Sequence, residues 1–138
     1  MDKKTLMQYR ALMRELPKLD KDIDRLYERL EEVPIVSGKV TKSGDDFPYI
    51  EQHLTVQMVE PKAATEIKKQ IAVKEKRRDN AESEKTDIEE FIAAIPDSMD
   101  RMIFELSFLD GKKQREVAEQ VGYSQGRISQ IIRKNLED

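Results

Sequence analysis

Gln125, Gly126, Arg127, Ser129 and Gln130 stand close together near the end of a 138-residue chain. Their side chains are suited to hydrogen bonding with a flat polar edge. An arginine fork offers two parallel N–H donors, and a glutamine amide donates at one position and accepts at the other. Gly126 carries no side chain, so a partner could approach the backbone there. Between residues 111 and 136 lie six cations (Lys112, Lys113, Arg115, Arg127, Arg133, Lys134) and two acids (Glu116, Glu119), a local surplus of +4. Base edges lying between two rows of phosphates present the chemistry that such a set would meet. Arg pairs with guanine O6 and N7, Gln pairs with adenine N6 and N7, and cations fix register on the backbone.

Those side chains need a scaffold that presents one helix end outward. In a twenty-residue window from Gln114 to Arg133, Ala118 falls fifth, Gly122 ninth, Ile128 fifteenth and Ile131 eighteenth. A small fifth residue lets two helices cross closely, and Gly at the ninth supplies the positive φ of a tight interhelical turn. Val117, Val121, Ile128 and Ile131 form the apolar seam. The spacing predicts a helix-turn-helix, with helices over 113–121 and 125–136. Ser124 is placed to cap the second of them through its hydroxyl. A helix over 99–109 precedes them, with Asp97 or Ser98 as cap, an apolar face of Met99, Met102, Ile103, Leu106 and Leu109, and Gly111 at its exit.

The rest of the chain reads as long helices. Tyr9, Leu12, Leu16, Leu19, Ile23, Leu26, Leu30 and Val33 repeat at alternating steps of three and four, predicting a helix over 3–32; Pro17 inside it predicts a kink or restart near Leu16. Ala64, Ile67, Ile71, Lys74, Arg78, Ala81, Lys85, Ile88, Ile92 and Ile95 repeat the pattern over 61–95, apolar at both ends and polar in the middle. Between them, residues 33–60 hold Pro34, Gly38, Gly44, Pro48 and a β-branched run. They read as an ordered loop with a short β-hairpin, in which Phe47, Tyr49, Ile50 and Leu54 could dock a partner. The expected fold is all-α: a long antiparallel coiled-coil hairpin over 1–95, then a three-helix helix-turn-helix domain over 96–138.

Composition agrees with extended helices. Charged and hydrophobic residues each make up 38% of the chain, and there is no Trp and no Cys. No apolar run approaches membrane-spanning length, and no signal-peptide core is visible, so a soluble cytoplasmic protein is expected. The net charge of −3, with Asp97, Asp100, Glu105, Asp110, Glu137 and Asp138 around the basic segment, implies modest DNA affinity for one copy. Two copies joined through the long helices would gain avidity, so a homodimer is expected.

The segment Glu116-Val117-Ala118, then Val121-Gly122-Tyr123-Ser124-Gln125-Gly126-Arg127-Ile128-Ser129-Gln130-Ile131, resembles region 4 of the bacterial sigma-70 family. That family shows Glu-Ile-Ala, Leu-Gly and Ser-x-x-Arg-Val-x-Gln-Ile. The resemblance implies a domain that binds double-stranded DNA and possible contact with RNA polymerase. It implies base contacts from Gln125, Gly126, Arg127, Ser129 and Gln130. Phosphate contacts are expected from Lys112, Lys113, Arg115, Ser124, Arg133 and Lys134. The family usually carries Glu at the place of Gly126, Arg at Ser129 and Thr at Lys113, so its promoter specificity does not transfer. The layout, with Ser37-Gly38-Lys39-Val40, Ser43 and Phe47-Pro48-Tyr49, is also similar to ArpU/RinA-like phage transcriptional regulators of Gram-positive bacteria. That likeness implies activation of a phage or prophage operon.

Other features carry less. The run Lys74-Glu75-Lys76-Arg77-Arg78 reads as a solvated helix face balanced by Asp79, Glu82 and Glu84. His53 is the single histidine, and no metal site or cofactor is expected. No Walker loop, GxGxxG or catalytic triad pattern occurs, so no enzymatic activity is expected. Two other functions share the same modules. One is a small terminase-type DNA-packaging subunit; the other is a sigma-like adaptor that binds polymerase without DNA.

Overall fold

The computed structural model describes the backbone of residues 1–33 and 47–136 and the side chains of residues 1–33 and 62–136. Every regular element among them is helical: α1 Lys3–Met7, α2 Tyr9–Glu32, α3 Phe47–Ala93, α4 Ser98–Phe104 continued by a π-helical turn Glu105–Leu109, α5 Gln114–Val121 and α6 Gln125–Leu136. The chain divides into two compact units, residues 1–17 with 79–138, and residues 18–78.

In the unit formed by residues 18–78, α2 and α3 pack together. Among the described side chains, Leu26, Ile67 and Ile71 form a buried cluster, with Leu30 and Val33 against it. Leu19 and Ile23 are buried as well. The polar middle of the α3 stripe is used rather than merely tolerated. Lys74 Nζ lies 3.4 Å from Asp22 Oδ2, and Arg78 Nη1 lies 3.8 Å from Asp20 Oδ1. Lys76 and Arg77 face solvent. The basic run is thus a helix face whose inner cations meet α2 carboxylates, contacts of small net energy at these exposures.

In the other unit one core spans the expected domain boundary at residue 95. Leu6, Tyr9 and Leu12 from α1 and α2, and Ile88, Ile92 and Ile95 from α3 and its exit, are buried with Ile103, Phe104, Val117, Ile128 and Ile132. Phe104 is fully buried, between Phe91 and Phe108 at centroid distances of 6.3 and 5.4 Å. Tyr9 donates to Glu89 Oε2 at 2.6 Å, fastening α2 to α3. Arg101 Nη1 donates to the Ile95 carbonyl at 2.8 Å across Pro96, where the chain leaves α3.

Three expectations change. The helix expected to begin at Pro61 begins at Phe47, so residues 47–60 are helical and not loop or β-hairpin. Pro48 sits in the first turn, where a missing N–H costs little. Glu51, Gln52, Leu54, Gln57, Met58 and Glu60 are good helix formers that outweigh the short β-branched run. The expected loop residues 34–46 lie outside the described residues, as do the side chains of Phe47, Tyr49, Ile50, His53 and Leu54. Where a kink or restart was expected near Leu16, the chain does not restart: α2 runs through Pro17, and the break falls at Gln8, between α1 and α2. The helix expected over 99–109 starts at Ser98 and widens into a π-helical turn at Glu105. There the Asp110 N–H reaches the Glu105 carbonyl at 2.9 Å.

Candidate nucleic-acid interface

The helix-turn-helix is assembled from its caps inward. Asp97 Oδ1 accepts from the Asp100 N–H at 2.9 Å and starts α4. That backbone donor holds the Asp97 carboxyl below its usual range, with Lys134 adding a smaller push in the same direction. Gly111, at φ +72°, turns the chain out of the π-helical turn. α5 begins after Lys113, which makes no side-chain cap bond. Lysine has no acceptor with which to cap, so this cation stays exposed. α5 ends at Gly122, at φ +79°. The N–H groups of Gly122 and Tyr123 both reach the Ala118 carbonyl, at 2.9 and 3.0 Å. Ser124 Oγ then accepts from the Arg127 N–H at 3.1 Å and caps α6, as its position predicts.

The seam between α5 and α6 contains Val117 and Ile128, both at 0% exposure, with Ala118 and Ile131 buried beside them. Burying Ile128, Ile131 and Ile132 orients the rest of α6. At about 100° per residue, Gly126, Gln130 and Arg133 point most directly away from the core. Gln125 and Ser129 flank them on one side, and Arg127 and Lys134 on the other. Gln125, Gly126, Arg127 and Gln130 are all exposed, and Ser129 is half-buried.

The two flanks have different surroundings. Arg127 Cζ lies 5.7 Å from the centre of the Tyr123 ring. Arg127, Gln130 and Lys134 line a hollow of about 350 Å³ together with Asp97, Asp100 and Tyr123. Asp100 is buried there and accepts from Asn135 Nδ2 at 3.2 Å. On the other flank Ser129 Oγ accepts from Gln114 Nε2 at 2.6 Å. Ser129, Gln114 and Arg133 line a second hollow of about 230 Å³, which also includes Lys3.

The expected phosphate residues are all at the surface: Lys112, Lys113, Arg115, Ser124, Arg133 and Lys134 are exposed. Lys112 Nζ donates to Gln120 Oε1 at 3.1 Å, and Arg115 lies 4.0 Å from Glu119. Both contacts are exposed and easily exchanged for a phosphate oxygen. Sequence reading missed Gln114 as an organising residue, although it is the first position of the window. It also missed Lys3 and Arg10, which reach this surface only through the tertiary packing of α1 and α2.

A family model described as Sigma-70, region 4 matches residues 97–137. The match covers less than a third of the chain, and its limits coincide with α4 through α6. No curated protein and no solved structure matches the chain. Residues 97–137 therefore form a sigma-70 region 4-like helix-turn-helix, a module of the DNA-binding and not the catalytic kind. Among the described residues no helix is long and apolar enough to cross a membrane, and no group of three or more metal-ligating side chains gathers.

Proposed function

We propose that the protein is a sequence-specific DNA-binding regulator of transcription that reads a duplex major groove with the leading end of α6. The observation that carries this reading is the exposure of Gln125, Gly126, Arg127 and Gln130 on a helix whose opposite face is locked into the core. Entry by the helix end lets both flanks reach base edges, Gln125 and Ser129 on one side and Arg127 on the other. Lys112, Lys113, Arg115, Ser124, Arg133 and Lys134 take phosphates along both strands. The Tyr123 ring holds the Arg127 guanidinium extended, a contact worth about 0.5–1 kcal/mol at an exposed site.

Finer readings go beyond that observation, and of these only the phage or prophage operon rests on the likeness of the sequence to phage regulators. They are a cytoplasmic homodimer paired through α2 and α3, acting on a phage or prophage operon and able to touch RNA polymerase. Pairing would join two helix-turn-helix modules and raise their avidity beyond that of one copy. Selection of bound duplexes from a random pool tests the reading. A repeated, two-fold symmetric half-site is expected. Absence of any enriched sequence rejects sequence-specific readout and favours an adaptor that binds polymerase alone. A ring of many subunits in light scattering favours a DNA-packaging subunit.

A further inference from the structure

A row of cations that the helix-turn-helix does not own borders the same surface. Lys3 of α1 and Arg10 of α2 line a hollow of about 340 Å³ with Lys112, Lys113 and Gln114. Lys3 also lines the neighbouring hollow with Gln114, Ser129 and Arg133. Resting on the DNA-binding reading above, we propose that Lys3 is a phosphate-binding residue of the DNA interface, with Arg10 behind it. The surface for the sugar–phosphate backbone is then built jointly by residues 1–17 and the helix-turn-helix.

Three observations converge on this assignment. The first is position. Lys3 shares one wall with Ser129, on the outward side of α6, and another with Lys113, at the start of α5. A phosphodiester strand passing from the α5 end toward Arg133 crosses the place where Lys3 stands.

The second is charge. Among the described residues, neither hollow is lined by an Asp or a Glu. The hollow beside Arg127 is different, with Asp97 and Asp100 in its wall. Lys3, Arg10, Lys112 and Lys113 repel one another when the surface is bare, and a polyanion relieves that repulsion on binding.

The third is anchoring. α1 is docked by Leu6, which is fully buried, and its start is closed by Asp2, whose Oδ1 accepts from the Thr5 N–H at 2.8 Å. Arg10 Nη1 donates to the Leu109 carbonyl at 3.3 Å and lies along Gly111. Lys3 is therefore held against the reader by the core while its ammonium stays exposed.

The test uses the full chain and two duplexes, one enriched from a random pool and one scrambled, titrated over a range of salt. Lys3→Gln is expected to weaken both duplexes alike. It should lower the slope of log K against log salt by about 0.9, the value for one lost phosphate contact. Lys113→Gln serves as the reference, and Lys3→Glu should weaken binding further. Circular dichroism and melting of Lys3→Gln should match the parent, because its side chain is exposed. If Lys113→Gln lowers the slope and Lys3→Gln leaves it unchanged, the role of Lys3 is overturned while the DNA-binding reading stands. If the parent chain binds neither duplex at low salt, both fall together.

Discussion

Gln114 Nε2 donates to Ser129 Oγ at 2.6 Å, tying the first residue of α5 to a half-buried flank of α6. The same amide nitrogen lies 3.5 Å from the Gln125 carbonyl, so Gln114 bridges the first turn of α6. Gln114→Ala and Ser129→Ala should each destabilise the fold modestly. Their effects should not add, with a coupling of about 0.5–1 kcal/mol in a double-mutant cycle. Strict additivity in chemical denaturation would show that the contact carries no energy.

The turn makes a sharper demand. Gly122 has φ +79° with no neighbour near its missing Cβ, so substitution there meets backbone strain and not a clash. Gly122→Ala should cost about 1–2 kcal/mol. Ser124→Ala, which removes the α6 cap, should cost about 1 kcal/mol. Gly126 is the contrast, because its Cβ would meet only Ser124 Oγ at an ordinary 3.9 Å. Gly126→Ala should be neutral or slightly stabilising while weakening DNA binding. Melting temperatures and duplex affinities measured on the three variants separate turn, cap and contact.

The core shared by α1, α2, α3 and the reader predicts cooperative loss. Leu6 and Ile88 are as completely buried as Ile128. Leu6→Ala should therefore destabilise the same transition as Ile128→Ala, each by roughly 2–5 kcal/mol. Two separate unfolding transitions, with Leu6→Ala affecting only one that leaves the reader intact, would contradict a single core.

Tyr9 gives a prediction in alkali. Burial first, and its bond to Glu89 second, push the phenol from its ordinary 10.0 up to about 12. The folded state holds this proton more tightly than the unfolded chain does. The contribution is thus complete below the unfolded value and is lost as pH rises toward the folded one. Between about pH 10 and 12, the parent should lose stability faster than Tyr9→Phe. Parallel melting curves for the two proteins through that range would remove the assignment.

Much of this architecture was legible because it is periodic. Every residue of the stripe from Tyr9 to Val33 is buried or half-buried, and the polar middle of the second stripe at Lys74, Arg78 and Lys85 is where the packing turns half-buried and charged. Ala118, Gly122 and Ser124 announced the reader because a close crossing, a positive φ and a cap each restrict residue type. The start of α3 at Phe47 was not legible. Pro48, Pro61 and a β-branched run lower local helix propensity, and local propensity is a weak guide to long helices. The placement of Lys3 and Arg10 beside the helix-turn-helix was hidden for another reason. About a hundred residues separate them from the surface they border, and no local pattern marks such a contact.

The most direct measurement is the affinity of Arg127→Ala for a selected duplex and for its scrambled counterpart, beside Lys113→Ala. Arg127→Ala should weaken the selected site by about 1–3 kcal/mol and leave the scrambled duplex nearly unchanged, whereas Lys113→Ala should weaken both equally. Equal losses on the two duplexes for Arg127→Ala would contradict readout of base sequence by the leading end of α6.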